Sequence, residues 1–122
     1  MSKEKNIQLI KKLHHIWNTG EINLVSEVYS ENIVVNWARG WGSPSKGLKE
    51  VEQAILKTRN VFHNWNEEIL DLVVDDNKVT SRYVSTGVHK EEYLGVPASG
   101  KNIEIQEISI YLIRDNKVLE QW

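Results

Sequence analysis

The stretch 79–101, VTSRYVSTGVHKEEYLGVPASGK, constrains the fold more than any other part of the chain. Its first half is β-branched, aromatic or hydroxylated: Val79, Thr80, Ser81, Tyr83, Val84, Ser85 and Thr86 suit a half-buried pleated surface. That pattern stops at Gly87, Val88 and His89. The charged run Lys90, Glu91, Glu92 then gives way to Tyr93, Leu94, Gly95, Val96 and Pro97. A solvated loop has little use for Tyr, Leu and Val together, so this one is expected to fold back over a mouth or a neighbouring subunit.

The rest of the chain is read around that stretch. Leu9, Leu13, Ile16 and Trp17 recur at helical spacing behind a capping Ser2, which predicts a helix over 3–17 that Gly20 ends. A second short helix carries Ile22, Val25, Val28 and Tyr29 on its buried side. After the β-branched run Ile33, Val34, Val35 and a loop at Gly40 to Pro44, Ser45 is placed to cap a third helix that buries Leu48, Val51, Ile55 and Phe62. Beyond Trp65 the period becomes that of strands. The expected strands cover 68–74, then 79 to about 89, 102–113 and 118–122, with turns at Asp75-Asp76-Asn77 and at 114–117. Three N-terminal helices against a meander of long antiparallel strands make an α+β domain, with residues 1–122 as one unit.

Charge and composition narrow the function. A net charge of -2 gives no electrostatic case for nucleic acid or an anionic membrane. With no cysteine, the chain has no disulfide, no thiolate nucleophile and no cysteine metal site. The N-terminus alternates charged and apolar residues without the uninterrupted apolar run of a signal peptide or membrane span, so a cytoplasmic location is expected.

Several residues are candidates for chemistry. His89 ends a strand, where a pocket mouth would lie, and period-two alternation puts Tyr83 on its face; His89 can equally hold the following loop. Glu120 and Trp122 share a face of the last strand, where a carboxylate against an indole could be a base of raised pKa or a cross-strand partner of Arg82 or Arg114. Glu107, Ser109 and Tyr111 alternate with Ile108, Ile110 and Leu112, and either face can point inward. Trp37 and Trp41 flank a glycine-rich loop as plugs or ligand contacts. His14 and His15 point about 100° apart on a helix and cannot chelate one ion, and neither His63 nor His89 has a partner at ligand spacing. No metal site is predicted.

Three segments carry a family resemblance: Gly87-Val88-His89; Tyr93-Leu94-Gly95-Val96-Pro97 with Ser99-Gly100-Lys101; and Asp115-Asn116-Lys117-Val118-Leu119-Glu120-Gln121-Trp122. In this order they resemble the motifs of the SnoaL-like polyketide cyclase family, a branch of the nuclear transport factor 2-like fold. The resemblance implies a curved antiparallel sheet in a cone-shaped barrel around an apolar pocket, a homodimer formed through the sheet, and no cofactor. In the family's cyclases an acidic base takes a proton beside a carbonyl and the enolate closes a ring.

This sequence departs from that pattern in four places. The family's base falls just after the final Trp motif, where this sequence ends at Trp122, and an assisting histidine falls on Ser109. An arginine of the next-to-last strand falls on Leu112, and a first-strand histidine on Asn36. Two functions follow. One is a cofactor-independent cyclase or isomerase using His89, Tyr83 and Glu120 on an apolar or aromatic carbonyl compound, with Trp37, Trp41, Ser109, Tyr111 and Trp122 lining the pocket. The other is a ligand-binding or dimerisation module that lacks the base.

Overall fold

The structure, a computed structural model, describes residues 2–122. The first helix, α1 (Lys3–Thr19), opens with the Ser2 hydroxyl accepting the Lys5 amide at 3.3 Å and closes on Gly20, whose φ of 77° is a left-handed stop. A 3₁₀ turn at Ile22–Leu24 leads into the single turn α2 (Val25–Val28), and the chain then enters β1 (Tyr29–Val35). Tyr29 is therefore a strand residue. Ser45 belongs to the two-residue strand β2 (Ser45–Lys46), and α3 (Leu48–Val61) starts after Gly47 at φ 83° with no side-chain cap. Phe62 starts the next strand because the apolar stripe of α3 ends at Val61.

The long strands are β3 (Phe62–Val74), β4 (Lys78–His89), β5 (Asn102–Arg114) and β6 (Lys117–Gln121). Asp115 and Asn116 take φ of 52° and 60°, the conformation that a tight hairpin asks of its two central residues. Register shifts in β3 at 63–66 and 69–71 add residues that β4 does not match, which bends the strand.

Sheet order is β2-β1-β6-β5-β4-β3. Two expectations are corrected here. The sheet is mixed, since β1 runs parallel to β6, and it is open, with β2 and β3 as edges instead of a closed barrel. Hairpins are local and make antiparallel pairs, whereas β1 and β6 meet from opposite ends of the sequence and owe their direction to the helices between. Helix α1 packs on β3 and β4, and α3 packs on β1, β2 and β3. The main core forms among Ile10, Leu13 and Ile16 of α1, Val51 and Ile55 of α3, and the inward residues Ile33, Val79, Tyr111 and Val118. Among the described residues no helix is long and apolar enough to cross a membrane.

Candidate functional site

Small side chains on the inner face of β4 leave room in the fold. Ser81, Ser85 and Gly87 alternate there with Tyr83, and a cavity of about 730 Å³ lies between the sheet, α1, α3 and the loops. That volume falls within the roughly 300–1,000 Å³ of small-molecule sites. Its aromatic walls form two groups. Trp17 and Trp37 meet edge to face at 5.8 Å, while Trp41, Tyr93, Phe62 and Trp65 form a chain of contacts at 6.2, 5.2 and 5.6 Å. Lys57 holds its ammonium 5.7 Å from the Tyr93 ring centre, a cation–π contact in the same wall.

Of the three carboxylates that line this space, Glu50 is exposed and accepts from the Lys46 amide, and the other two stand in different circumstances. Glu67 of β3 is buried and fully engaged: Oε1 lies 2.7 Å from His14 Nδ1, and Oε2 accepts from Trp65 Nε1 at 2.9 Å. His14 Nε2 lies 2.9 Å from Ser81 Oγ, and Asn18 brackets the backbone of Glu67, donating to its carbonyl and accepting from its amide. Glu107 of β5 is half-buried. Ser85 donates to its Oε2 at 2.5 Å, and no cationic side chain comes within ion-pair distance of it among the described residues. Burial pushes the Glu107 carboxyl above its usual range; the Ser85 hydrogen bond pulls it back, and the Glu67 charge adds to the rise.

The phenols face the same space. Tyr83 shares a 2.9 Å hydrogen bond with Ser109, and its ring meets His14 at 4.5 Å. Burial, then the Glu107 and Glu67 carboxylates, raise its pKa well above the ordinary phenol value, so it stays a hydrogen-bond donor at neutral pH. Tyr111 is fully buried, and its hydroxyl has no hydrogen-bond partner among the described residues. Burying an unpaired hydroxyl costs about 1–3 kcal/mol. Tyr111→Phe is accordingly expected to leave stability unchanged or raise it by about 1 kcal/mol in urea denaturation; a loss of that size instead would mean that the hydroxyl is answered inside the free protein.

Of the residues singled out in the sequence, Tyr83, Trp37, Trp41 and Tyr111 stand in the cavity wall. His89 does not border the cavity as expected. It is buried behind Phe62, ring centres 5.4 Å apart, with Nδ1 3.2 Å from the Ser99 hydroxyl and backbone bonds to Lys101 and Gly100. The reason is that the loop after β4 folds back onto the strand end and covers it. The motif segments 87–89 and 99–101 therefore meet as a loop anchor, and Gly87 is small because a Cβ there would lie 3.0 Å from Phe62 Cβ.

Ser109 sits behind Tyr83 and outside the wall. Glu120 alternates with the wall residue Gln121 and accepts instead from Asn36 Nδ2 at 3.0 Å. Trp122 pairs through its backbone with Ile110 and is 45% exposed, away from the cavity. The site members that the sequence pattern leaves unmarked are Glu67 and His14, while Glu107 stands on the partly polar face of its strand with no role given to it there. The usable signal was phase: His14 shares a helical face with Ile10, Leu13 and Trp17, and Glu67 falls two residues from Trp65 on the same face.

No curated protein matches the chain. TsrD from Streptomyces laurentii superposes with a TM-score of 0.88 at 21% identity, over 100% of this chain and 88% of that one. IdmH from Streptomyces antibioticus gives 0.81 at 22%, over 94% and 87%. A SnoaL-like polyketide cyclase from Agrobacterium tumefaciens gives 0.80 at 18%, over 93% and 85%. Likeness at these identities speaks for the α+β fold alone. The family described as SnoaL-like polyketide cyclase matches residues 7–122, and the chain belongs to that family.

Proposed function

We propose that the protein binds an apolar, ring-bearing carbonyl compound and, without a cofactor, moves a proton at the carbon beside the carbonyl, as in an aldol cyclisation or an isomerisation. Glu107 supports this reading best, as a carboxylate of raised pKa in an aromatic cavity, in no ion pair among the described residues. The ionised carboxylate takes the α-proton, and a phenol such as Tyr83 donates to the enolate oxygen. In a cyclisation the enolate carbon then forms a bond to a second carbonyl carbon, whose oxygen recovers the proton from Glu107. Every atom is conserved and the base is regenerated. The base role is thus assigned to Glu107, since Glu120 lies off the cavity wall.

Deuterium exchange at the α-carbon of β-tetralone, followed by NMR, tests the elementary step. Exchange above the buffer rate is expected. It should rise with pH as Glu107 loses its proton, with a midpoint above the ordinary carboxylate range, because the ionised form is the base. Tight binding with exchange at the buffer rate would instead identify a ligand-binding module.

The proposal includes a homodimer through the outer face of the sheet. Val73 and Ile108, each 65% exposed, and Ile110 support it, because an aliphatic sheet face of this kind is usually covered. Ile110→Lys is expected to shift the protein to monomer at micromolar concentration in sedimentation velocity, while a monomeric parent would refute the dimer.

A further inference from the structure

The cavity wall contains two buried polar atoms that no group among the described residues answers. One is the phenolic oxygen of Tyr111, and the other is the side-chain carbonyl oxygen of Gln121. Both residues are buried, and they are neighbours, because Tyr111 and Gln121 are directly opposed on β5 and β6. Such a pair has Cβ atoms about 4.5–5.5 Å apart on one face. The nearby hydroxyls have partners of their own, Ser109 sharing a hydrogen bond with Tyr83 and the Tyr29 phenol accepting from the Trp17 indole N–H, and neither closes a hydrogen bond to these two atoms. Native interiors leave few buried polar groups unpaired, and two on directly opposed residues of a cavity wall point to a guest.

The chemistry of the pair specifies that guest. Burial holds the Tyr111 phenol in its protonated form, so it offers a donor, whereas the Gln121 oxygen can only accept. A ketone oxygen would answer Tyr111 and leave Gln121 unpaired. An ammonium would satisfy Gln121 and give the Tyr111 proton nowhere to go. A hydroxyl oxygen does both at once.

We propose that Tyr111 and Gln121 form a recognition point for an enolic or phenolic hydroxyl on the ring system of the guest, with Tyr111 donating to its oxygen and Gln121 accepting its proton. This rests on the cavity being a ligand site, as proposed above, but not on Glu107 acting as a base. The aromatic groups around Trp17 and Phe62 supply the apolar surroundings that make such a hydrogen-bonded pair selective, since an analogue that lacks the hydroxyl leaves both protein atoms desolvated and unpaired.

Equilibrium dialysis with β-naphthol and its near-isostere β-methylnaphthalene tests the inference. The parent protein is expected to prefer the naphthol by about ten- to a hundredfold. Tyr111→Phe and Gln121→Met should each remove most of that preference by weakening the naphthol, with β-methylnaphthalene bound as well or better and the near-ultraviolet circular dichroism unchanged. Equal binding of both probes by the parent overturns the inference, as does full preference in either variant, which would mean that solvent alone serves the pair. Binding of neither probe overturns it together with the ligand site beneath it. A retained naphthol preference without any exchange on β-tetralone would remove the proposed catalysis and leave this recognition point standing.

Discussion

Replacing Glu107 by glutamine is expected to slow α-proton exchange on β-tetralone by about 10²–10⁴-fold, the usual contribution of a positioned general base. The substitution keeps the side chain's size and can still accept from Ser85, so affinity for the ketone should stay within about threefold. A loss confined to the rate, with binding intact, is what distinguishes removal of a base from collapse of the cavity. Exchange that persisted at the parent rate would assign the proton transfer to another group.

The same substitution has a signed effect on stability. Because the Glu107 carboxyl has a raised pKa in the fold, the folded protein keeps its proton over a pH interval in which the unfolded chain has given it up. More protons are bound in the folded state there, so stability falls as pH rises through that interval, and above it the full cost of the buried charge is present. Glutamine has no proton to lose. Urea midpoints of Glu107→Gln should therefore gain on the parent between acid and neutral pH, and parallel pH profiles would contradict the burial of that charge.

His14→Ala is expected to cost about 2–4 kcal/mol in urea denaturation. Among the described residues the imidazole is the only side chain that bridges Glu67 and Ser81, and it is 2% exposed. Its removal leaves a buried carboxylate oxygen and a buried hydroxyl without that partner, and opens a void beside Tyr83. In the double variant with Glu67→Ala the two costs should fall short of their sum by about 1 kcal/mol or more, because the residues act as a unit. A single-variant cost below about 1 kcal/mol would mean that solvent from the cavity substitutes for the ring.

Much of the fold was legible because the relevant forces are short-ranged. Ser2 and Gly20 bracket α1 by local capping, and Asp115-Asn116 turns the chain by local backbone preference. The third helix differs from its sequence pattern at both ends for the opposite reason: Ser45 and Phe62 have residue types that fit a cap and a buried stripe, yet each is held in a strand by partners from elsewhere, Val35 and His89. His89 shows the same limit. Its motif marked it as special, but whether it served the cavity or the loop depended on where residues 99–101 came to rest.

Strand alternation in the sequence alone determined that Glu107, Ser109 and Tyr111 share one face of β5 while Ile108, Ile110 and Leu112 share the other, since successive Cβ atoms point to opposite sides of a strand. Only the tertiary structure decided that the partly polar face is the covered one. That choice depends on which side α1 and α3 pack against, and on whether groups distant in sequence, such as Ser85 for Glu107 and Gln121 for Tyr111, arrive opposite them. Alternation is a property of the strand itself; burial is a property of everything that closes over it.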